Sequence, residues 1–453
     1  MSKNKNDLSL STIAKELDIQ LVGGTGKETF NGISIDSRTL EPNDIFVALK
    51  GPLNDGHDYL IEAKEKGAIA LVVEKDISID KPYILVKDCY KFLDHLAKYQ
   101  RDIFTGKVIG LTGSNGKTTT KEIIYSMLQK DGCHKTKGNK NNHIGVPLTL
   151  SSLSNDYKYA VIEIGTNSPG EISNLSSKVE PDVALILNAA ASHLEKLDSV
   201  EKVAKEKGYI LEHLHKDGIA VLPRDSEFFF YWKERSEGRR IISFGFHQDS
   251  DIRLSNIRRD LLKNEISFDI NYAEKSIRCF MKGIATHNCL NATGALSVCH
   301  VLNIDLEQES VNLSNIAFPK RRMEVKKALK DSVLIDDSYN ANPESMKKSL
   351  DVLGDIHGKN RIFIAGEMGE LGKQEENYHV EICEYALGKV EEFLCIGDLW
   401  KEGLKHISDI GIKFSSKDKL LEYLNTKLTK DSIILVKGSR STGMDYISDK
   451  LKV

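Results

Sequence analysis

Residues Lys107–Leu128 read KVIGLTGSNGKTTTKEIIYSML, and this stretch decides the fold. KVIGLT is a continuous apolar run of strand length, suited to a strand buried on both faces of a parallel sheet. After the glycine-bearing turn, Ile123, Ile124, Met127 and Leu128 recur at helical spacing, and Gly132 is placed to end that helix. Strand, loop and helix in this order make a nucleotide-phosphate site rather than a plain glycine turn with a solvated lysine. Gly113 and Gly116 let backbone amides approach phosphate oxygens where a side chain would clash. The helix N-terminus adds a favourable dipole. Lys117 would neutralise a transferring phosphate, and the Thr118 hydroxyl would bind magnesium. Ser114, Asn115 and Thr119 complete the cradle. The spacing is GxxGKT; the longer GxxxxGKT form fails because position 111 is leucine. A second glycine–lysine stretch, GGTGKE at 23–28, reads as a surface turn, because Glu28 stands where a hydroxyl is needed and would repel phosphate.

Outward from the loop, YAVIEI at 159–164 and DVALIL at 182–187 are further continuous apolar runs. This αβ alternation predicts an open parallel sheet with its ligand beyond the carboxyl ends of the strands. Between about 219 and 285 the texture changes. IAVLP, RRIISFGF, EISFDINY and KSIRCFMKG are short and partly alternating, which predicts antiparallel strands. THNCLNATGALSVCHVL, starting at 286, reads as a helix. After the basic break FPKRR at 318–322, VLIDD, RIFIAG, EEFLCIG and SIILVKG each end in Asp or Gly, with amphipathic stretches between them. That pattern predicts a separate Rossmann-like unit. DIFVALKG and AIALVVEK mark a smaller mixed unit at the start. The expected architecture is α/β in three domains, 1–86, 87–318 and 319–453, with a P-loop ATPase-type parallel sheet in the centre.

Length agrees, since 453 residues make about three domains. A net charge of −3 gives no basic field for nucleic acid or an anionic membrane. No apolar run approaches the roughly 18 residues of a membrane span, and MSKNKNDLSL lacks the apolar stretch of a secretory leader. Seven dispersed cysteines without a CxxC pair suit a reducing cytosol. A cytoplasmic, monomeric enzyme is expected.

Two residues beside the loop carry chemistry but are ambiguous alone. Glu163 interrupts an apolar strand at its carboxyl end, as a magnesium ligand would; a salt-bridged strand end reads the same way. His193, after the next strand, is either a ligand or a structural histidine.

The segments TGSNGKTTT, GNKNNHIGVPLTL, AVIEIGTNSPGEI, NAAASHLE, VAKEKGYIL, HNCLNA, DDSYNANPESM and KGSRS occur in this order. Together with GISIDSRTLEPNDIFVALKG and NDGHDYL near the start, they resemble the Mur ligases of peptidoglycan synthesis, and most closely the members that add D-alanyl-D-alanine. EIGTNSPGEI and DSYNANP carry that finer likeness. The resemblance implies an ATP-dependent acid–amino-acid ligase with UDP-N-acetylmuramoyl-tripeptide and D-Ala-D-Ala as substrates and an acyl phosphate as intermediate. It implies an N-terminal domain for the UDP part, a central ATP-binding domain, and a Rossmann-like domain that binds the dipeptide and closes on ATP.

Residue by residue, the resemblance makes Lys117, Glu163, His193 and Lys207 the catalytic set. Two magnesium ions would be held by Thr118, Glu163, His193 and Lys207. Lys207 falls where several Mur ligases carry a carbamylated lysine; by its neighbours alone it is a solvent-facing lysine in a charge-rich helix. Asn291, with His287 and Asn288, matches the adenine-contacting motif. Arg322 and Asp337 match residues that reach ATP from the C-terminal domain. Asn139, Asn141 and Asn142 face the muramoyl-peptide side, and Ser37 and Arg38 match the uridine-diphosphate stretch. Asn340, Asn342, Lys437, Ser439 and Arg440 are expected at the dipeptide. Three positions depart from the family's pattern. Pro223-Arg224-Asp225 keeps only the aspartate of a nucleotide-contacting Asn-x-Asp, Lys320-Arg321 replaces a glycine at the hinge, and Tyr209 stands where an acid is expected. A nucleotide-binding regulator is the rival from another class, and the intact Lys117, Thr118, Glu163 and His193 set argues against it.

Overall fold

The computed structural model describes residues 8–260, 263–316, 318–356 and 360–453. The opening residues 1–7, within the stretch read above as lacking a leader, lie outside them. Three sheets organise the described chain. The first has five strands, in the order Gln20–Val22, Tyr83–Leu85, Ala70–Val73, Asp44–Val47 and Gly32–Ser34. The third has six, with Val333–Asp337, Ser432–Lys437, Asn360–Gly366, Glu392–Ile396 and Gly411–Phe414 running parallel behind the antiparallel edge strand Glu324–Lys327.

The central sheet has nine strands. Its parallel part contains Cys133–Lys135, Tyr159–Glu163, Lys107–Thr112, Val183–Ile186, Ile219–Pro223 and Arg240–Gly245, neighbours in that order. Strand Lys107–Thr112 shows why it lies inside. Ile109 and Leu111 join the cluster of Ile123, Ile124 and Met127 on one face. Val108 joins Ile162, Ile186 and Ala204 on the other. Both faces are covered, as a continuous apolar strand requires.

The expected antiparallel region is half right. Ile219–Pro223 and Arg240–Gly245 extend the parallel sheet. IAVLP is as continuously apolar as its parallel neighbours, and helix Phe229–Arg235, unread in the sequence, supplies the crossover. Within this region antiparallel pairing is confined to Ile252–Asp260, Glu265–Tyr272 and Lys275–Lys282, the first of which the sequence reading did not pick out. The helix expected over THNCLNATGALSVCHVL runs from Thr286 to Val301 and packs on the parallel part. Helix Cys89–Ile103 links the first two sheets: Phe92, Leu93 and Leu96 enter the first core and Ala97 the second. Among the described residues no helix is long and apolar enough to cross a membrane.

Candidate active site

The carboxyl ends of the central strands face the third sheet's domain across a cleft of about 630 Å³. Its floor is the glycine loop. Gly116 caps helix Lys117–Leu128 with φ of +84°, and a Cβ there would fall against the Asn291 amide oxygen. Glycine is required at this position on both counts. Asn291 and Asn288 are buried beside it, with Asn291 Nδ2 donating to Asn288 Oδ1 at 3.4 Å. The loop is fastened below by Asn188, whose Oδ1 accepts from Asn115 N at 2.9 Å while its Nδ2 donates to Asn115 O at 3.1 Å. Ser114 bonds Ala190 N and Ser192, and Thr119 is buried in the helix's first turn.

Lys117 donates to Gly113 O at 2.6 Å and to Ser114 O at 3.4 Å. Burial pushes its ammonium below the usual lysine range, Glu163 opposes that shift, and Arg322 adds to it. Glu163 closes the floor. Its Oε1 accepts from Thr118 Oγ1 at 3.2 Å and from Asn141 Nδ2 at 2.7 Å. Its Oε2 is buried without a hydrogen-bond partner, 3.5 Å from the ammonium of the fully buried Lys121. Lys121 also holds the Gly138 carbonyl, and Thr136 Oγ1 accepts from Glu163 N at 3.0 Å. The turn 136–141 therefore converges on Glu163. Neither Lys121 nor Thr136 was read from the sequence, although Lys121 sits one helical turn after Lys117. Asn139 and Asn142 also line the cleft, with Asn142 Oδ1 accepting from Gly145 N at 2.9 Å.

The roof comes from the third sheet's domain. Arg322 Nη2 reaches Thr118 Oγ1 at 3.4 Å, and its guanidinium lies 4.2 Å over the Tyr339 ring. Asp337 and Lys437 form a buried ion pair at 2.5 Å, and Lys437 also donates to Asn340 O at 3.0 Å. Asp337 further accepts from Met323 N and Ser349. Asn342 Nδ2 donates to Asn115 Oδ1 at 3.0 Å, and Asn115 Nδ2 returns a bond to Asn342 Oδ1 at 3.4 Å. Asn342 also caps helix Pro343–Gly354. Its amide thus reads the glycine loop. His287 lines the cleft as a neutral imidazole, its pKa lowered to about 4 mainly by burial.

His193 lines the same cleft as Glu163 and pairs with Glu370, whose Oε2 is 2.5 Å from Nδ1. That contact holds the Glu370 carboxyl below its usual range. Lys207 is 1% exposed, so the solvent-facing alternative is excluded. It does not line the cleft. Burial and the nearby charge of Lys117 push it well below the usual lysine range. Its neighbour Glu206 accepts from Gly170 N and Ile172 N, capping helix Glu171–Val179.

Ser37 and Arg38 also lie outside the cleft. Ser37 donates to Glu62 at 2.9 Å, and Arg38 forks onto Asp36 at 2.9 and 2.8 Å. Ser439 donates to Ala341 O at 3.3 Å, and Arg440 is exposed beside Asp445. Asp225, the aspartate kept from the Asn-x-Asp pattern, accepts from Phe246 N and His247 N at 2.7 Å each. Both its oxygens are engaged with a turn. In the basic break before the third sheet, Arg321 pairs with Asp445 and Asp449 of the last helix, so its charge is already neutralised.

Residues 29–101, 111–299 and 321–440 match in turn the Mur ligase family catalytic domain, the Mur ligase middle domain and the Mur ligase glutamate ligase domain. The chain is 34% identical to the UDP-N-acetylmuramoyl-tripeptide–D-alanyl-D-alanine ligase of Escherichia coli K12, across 97% of each chain. A crystal structure of MurF from Acinetobacter baumannii superposes with a TM-score of 0.88 at 28% identity, covering 99% of both chains. MurF ligase from Thermotoga maritima, solved with ADP, gives a TM-score of 0.80 at 29% identity over 92% of this chain and 96% of that one.

Proposed function

The chain belongs to the Mur ligase family, and from that premise we propose how its cleft works. The protein is an ATP-dependent ligase that joins D-alanyl-D-alanine to UDP-N-acetylmuramoyl-tripeptide in peptidoglycan precursor synthesis. A peptide carboxylate is a poor acyl donor until one of its oxygens becomes a good leaving group. In the first step a carboxylate oxygen attacks the γ-phosphorus of ATP, the bond to the β,γ-bridging oxygen breaks, and ADP leaves. In the second the dipeptide amine attacks the acyl carbon of the acyl phosphate. The C–N bond forms, the attacking nitrogen gives up a proton, and the tetrahedral intermediate expels phosphate together with the oxygen that made the attack.

Positioning and charge neutralisation carry such phosphoryl transfers. The floor binds the nucleotide: loop amides and Lys117 take the phosphates, and Asn291 takes adenine. The observation that carries the reading is Arg322, a guanidinium from another domain within 3.4 Å of Thr118 at the loop. It would add positive charge to the phosphoryl group when the domains meet. Asp337 would take the ribose side. Asn139, Asn141 and Asn142 would face the muramoyl peptide, and Ser37 and Arg38 the uridine diphosphate after release from Glu62 and Asp36. Asn340, Ser439 and Arg440 would meet the dipeptide, with Lys437 held back by Asp337.

Magnesium fits the floor, because the buried, unpartnered Glu163 Oε2 and the Thr118 hydroxyl are hard oxygen donors. No cluster of three His, Cys, Asp or Glu forms among the described residues, so substrate phosphates would complete the coordination. Thr118 and Glu163 would hold one ion and His193 a second, which Lys207, outside the cleft lining, would join only through its longer carbamate. Bound there, magnesium would neutralise charge on the transferring group. Lys207 is read as carbamylated: burial favours the neutral amine, which adds to carbon dioxide with loss of one proton to give an anion. Turnover in carbon-dioxide-free buffer should fall and recover with bicarbonate, and Lys207→Ala should abolish both. The bodies 1–86, 87–318 and 319–453 would move about hinges. A cytoplasmic enzyme fits seven buried, unpaired cysteines, and the chain is read as a monomer.

The test is phosphate release from ATP with magnesium and UDP-N-acetylmuramoyl-tripeptide, with diaminopimelate or lysine as third residue. Release that requires both tripeptide and D-Ala-D-Ala is expected. Release with glutamate or diaminopimelate as the amine would move the protein to a sister activity.

A further inference from the structure

We propose that Glu370 is a positioning residue for His193, delivered by the third sheet's domain, so that the imidazole is correctly oriented only while the domains are docked. This rests on the reading of His193 as a ligand to the second magnesium. A histidine that binds metal through one ring nitrogen commonly gives the N–H of the other to a carboxylate. Here Glu370 lies 2.5 Å from Nδ1. That contact is an ion-pair approach without hydrogen-bond alignment at Nδ1; Nε2 makes no hydrogen bond among the described residues, and His193 lines the cleft.

Both backbones are unusual. His193 has φ of +54° and Glu370 φ of +62°, left-handed conformations that non-glycine residues hold where their surroundings impose them. The main chains also meet: Glu195 N donates to Glu370 O at 3.2 Å, and Gly372 lies so close to Glu195 that a Cβ would come within 3.3 Å.

The loop bearing Glu370 is held rigidly from behind. Buried His379 accepts from Met368 N at Nε2 (3.0 Å) and donates from Nδ1 to Glu375 O (2.6 Å), which fixes its tautomer. Ser439 Oγ accepts from Gly369 N at 2.7 Å and donates to Ala341 O at 3.3 Å. One loop therefore joins the KGSRS and NANP segments to His193. A shift of either segment would move the carboxylate on the imidazole, linking the dipeptide side of the cleft to the metal side.

The test uses the full-length enzyme labelled with 15N-histidine, free of metal, with the His193 signals assigned by their loss in His193→Asn. The wild type is expected to show His193 mainly as the Nδ1–H tautomer, and Glu370→Gln and Glu370→Ala to lose that preference without a change in melting temperature. Manganese binding with ADP, followed by electron paramagnetic resonance, should show two sites in the wild type. The second should weaken by about 10- to 100-fold in Glu370→Gln, the usual loss for such a partner, with the first unchanged. An unaltered His193 spectrum or wild-type second-site affinity in Glu370→Ala would overturn the proposal. If His193→Asn keeps both manganese sites, the ligand reading falls, and the proposal falls with it.

Discussion

The floor and the roof of the cleft are built on different principles. Floor residues sit on one sheet and on the helix that follows its strand Lys107–Thr112: Lys117 bonds to carbonyls three and four residues away, and Glu163, at the end of the neighbouring strand, meets Thr118 in that helix's first turn. Roof residues reach the same loop from a separate sheet, Arg322 to Thr118 and Asn342 to Asn115. On the proposed reading the floor, held together by its own sheet, would bind nucleotide wherever the third domain lies, and the roof would act only when docked. Binding should therefore follow the floor, and turnover should need both.

The largest break in that division comes from Lys117→Ala. Phosphate release should fall on the order of 10³-fold, because charge neutralisation at the transferring group is the main catalytic term. Thermal unfolding should be unchanged; near-wild-type turnover would contradict the floor assignment. Arg322→Ala should lower kcat by about 10²-fold while ADP affinity, measured by calorimetry, stays close to wild type. A parallel loss of ADP affinity would erase the distinction between floor and roof.

Asn342 sharpens the comparison, because it caps a helix and also bonds Asn115. Asn342→Ala should cost about 1 kcal/mol of stability through the lost cap, whereas Asn115→Ala should leave stability nearly unchanged. A double-mutant cycle on phosphate release should give a coupling of about 0.5–1 kcal/mol. Additive effects would mean that the amide pair carries no interdomain linkage. The smallest effect belongs to Ser37→Ala, at most on the order of 1 kcal/mol in denaturant unfolding, since its hydroxyl is spent on Glu62. Turnover at saturating substrate should not change, whereas KM for the UDP-linked substrate should rise through the lost hydroxyl.

The same division governs what could be read from the sequence. Floor and fold came from local order: an apolar run, two glycines, Lys117 and Thr118, then an amphipathic helix. Periodicity misjudged Ile219–Pro223 and Arg240–Gly245, because short strands look alike in parallel and antiparallel pairing and helix Phe229–Arg235 between them went unread. The roof left weaker traces. Asp337 and Lys437 were legible as site residues only through the family resemblance, and their pairing joins positions 100 residues apart. Glu370 gave no signal, since AGEMGELG has neither a motif nor a period that points at His193. Lys121 was hidden by its type, a lysine in a charge-bearing helix that the fold buries completely against Glu163.

The central claim is that the floor activates the tripeptide carboxylate by phosphorylation before the amine attacks. The direct measurement is isotope transfer, with the terminal carboxylate of UDP-N-acetylmuramoyl-tripeptide labelled with 18O and the released phosphate analysed by mass spectrometry after reaction with ATP and D-Ala-D-Ala. The account predicts one labelled oxygen in each phosphate released from fully labelled substrate. Amide product accompanied by unlabelled phosphate would show that the carboxylate never attacked ATP, and would contradict it.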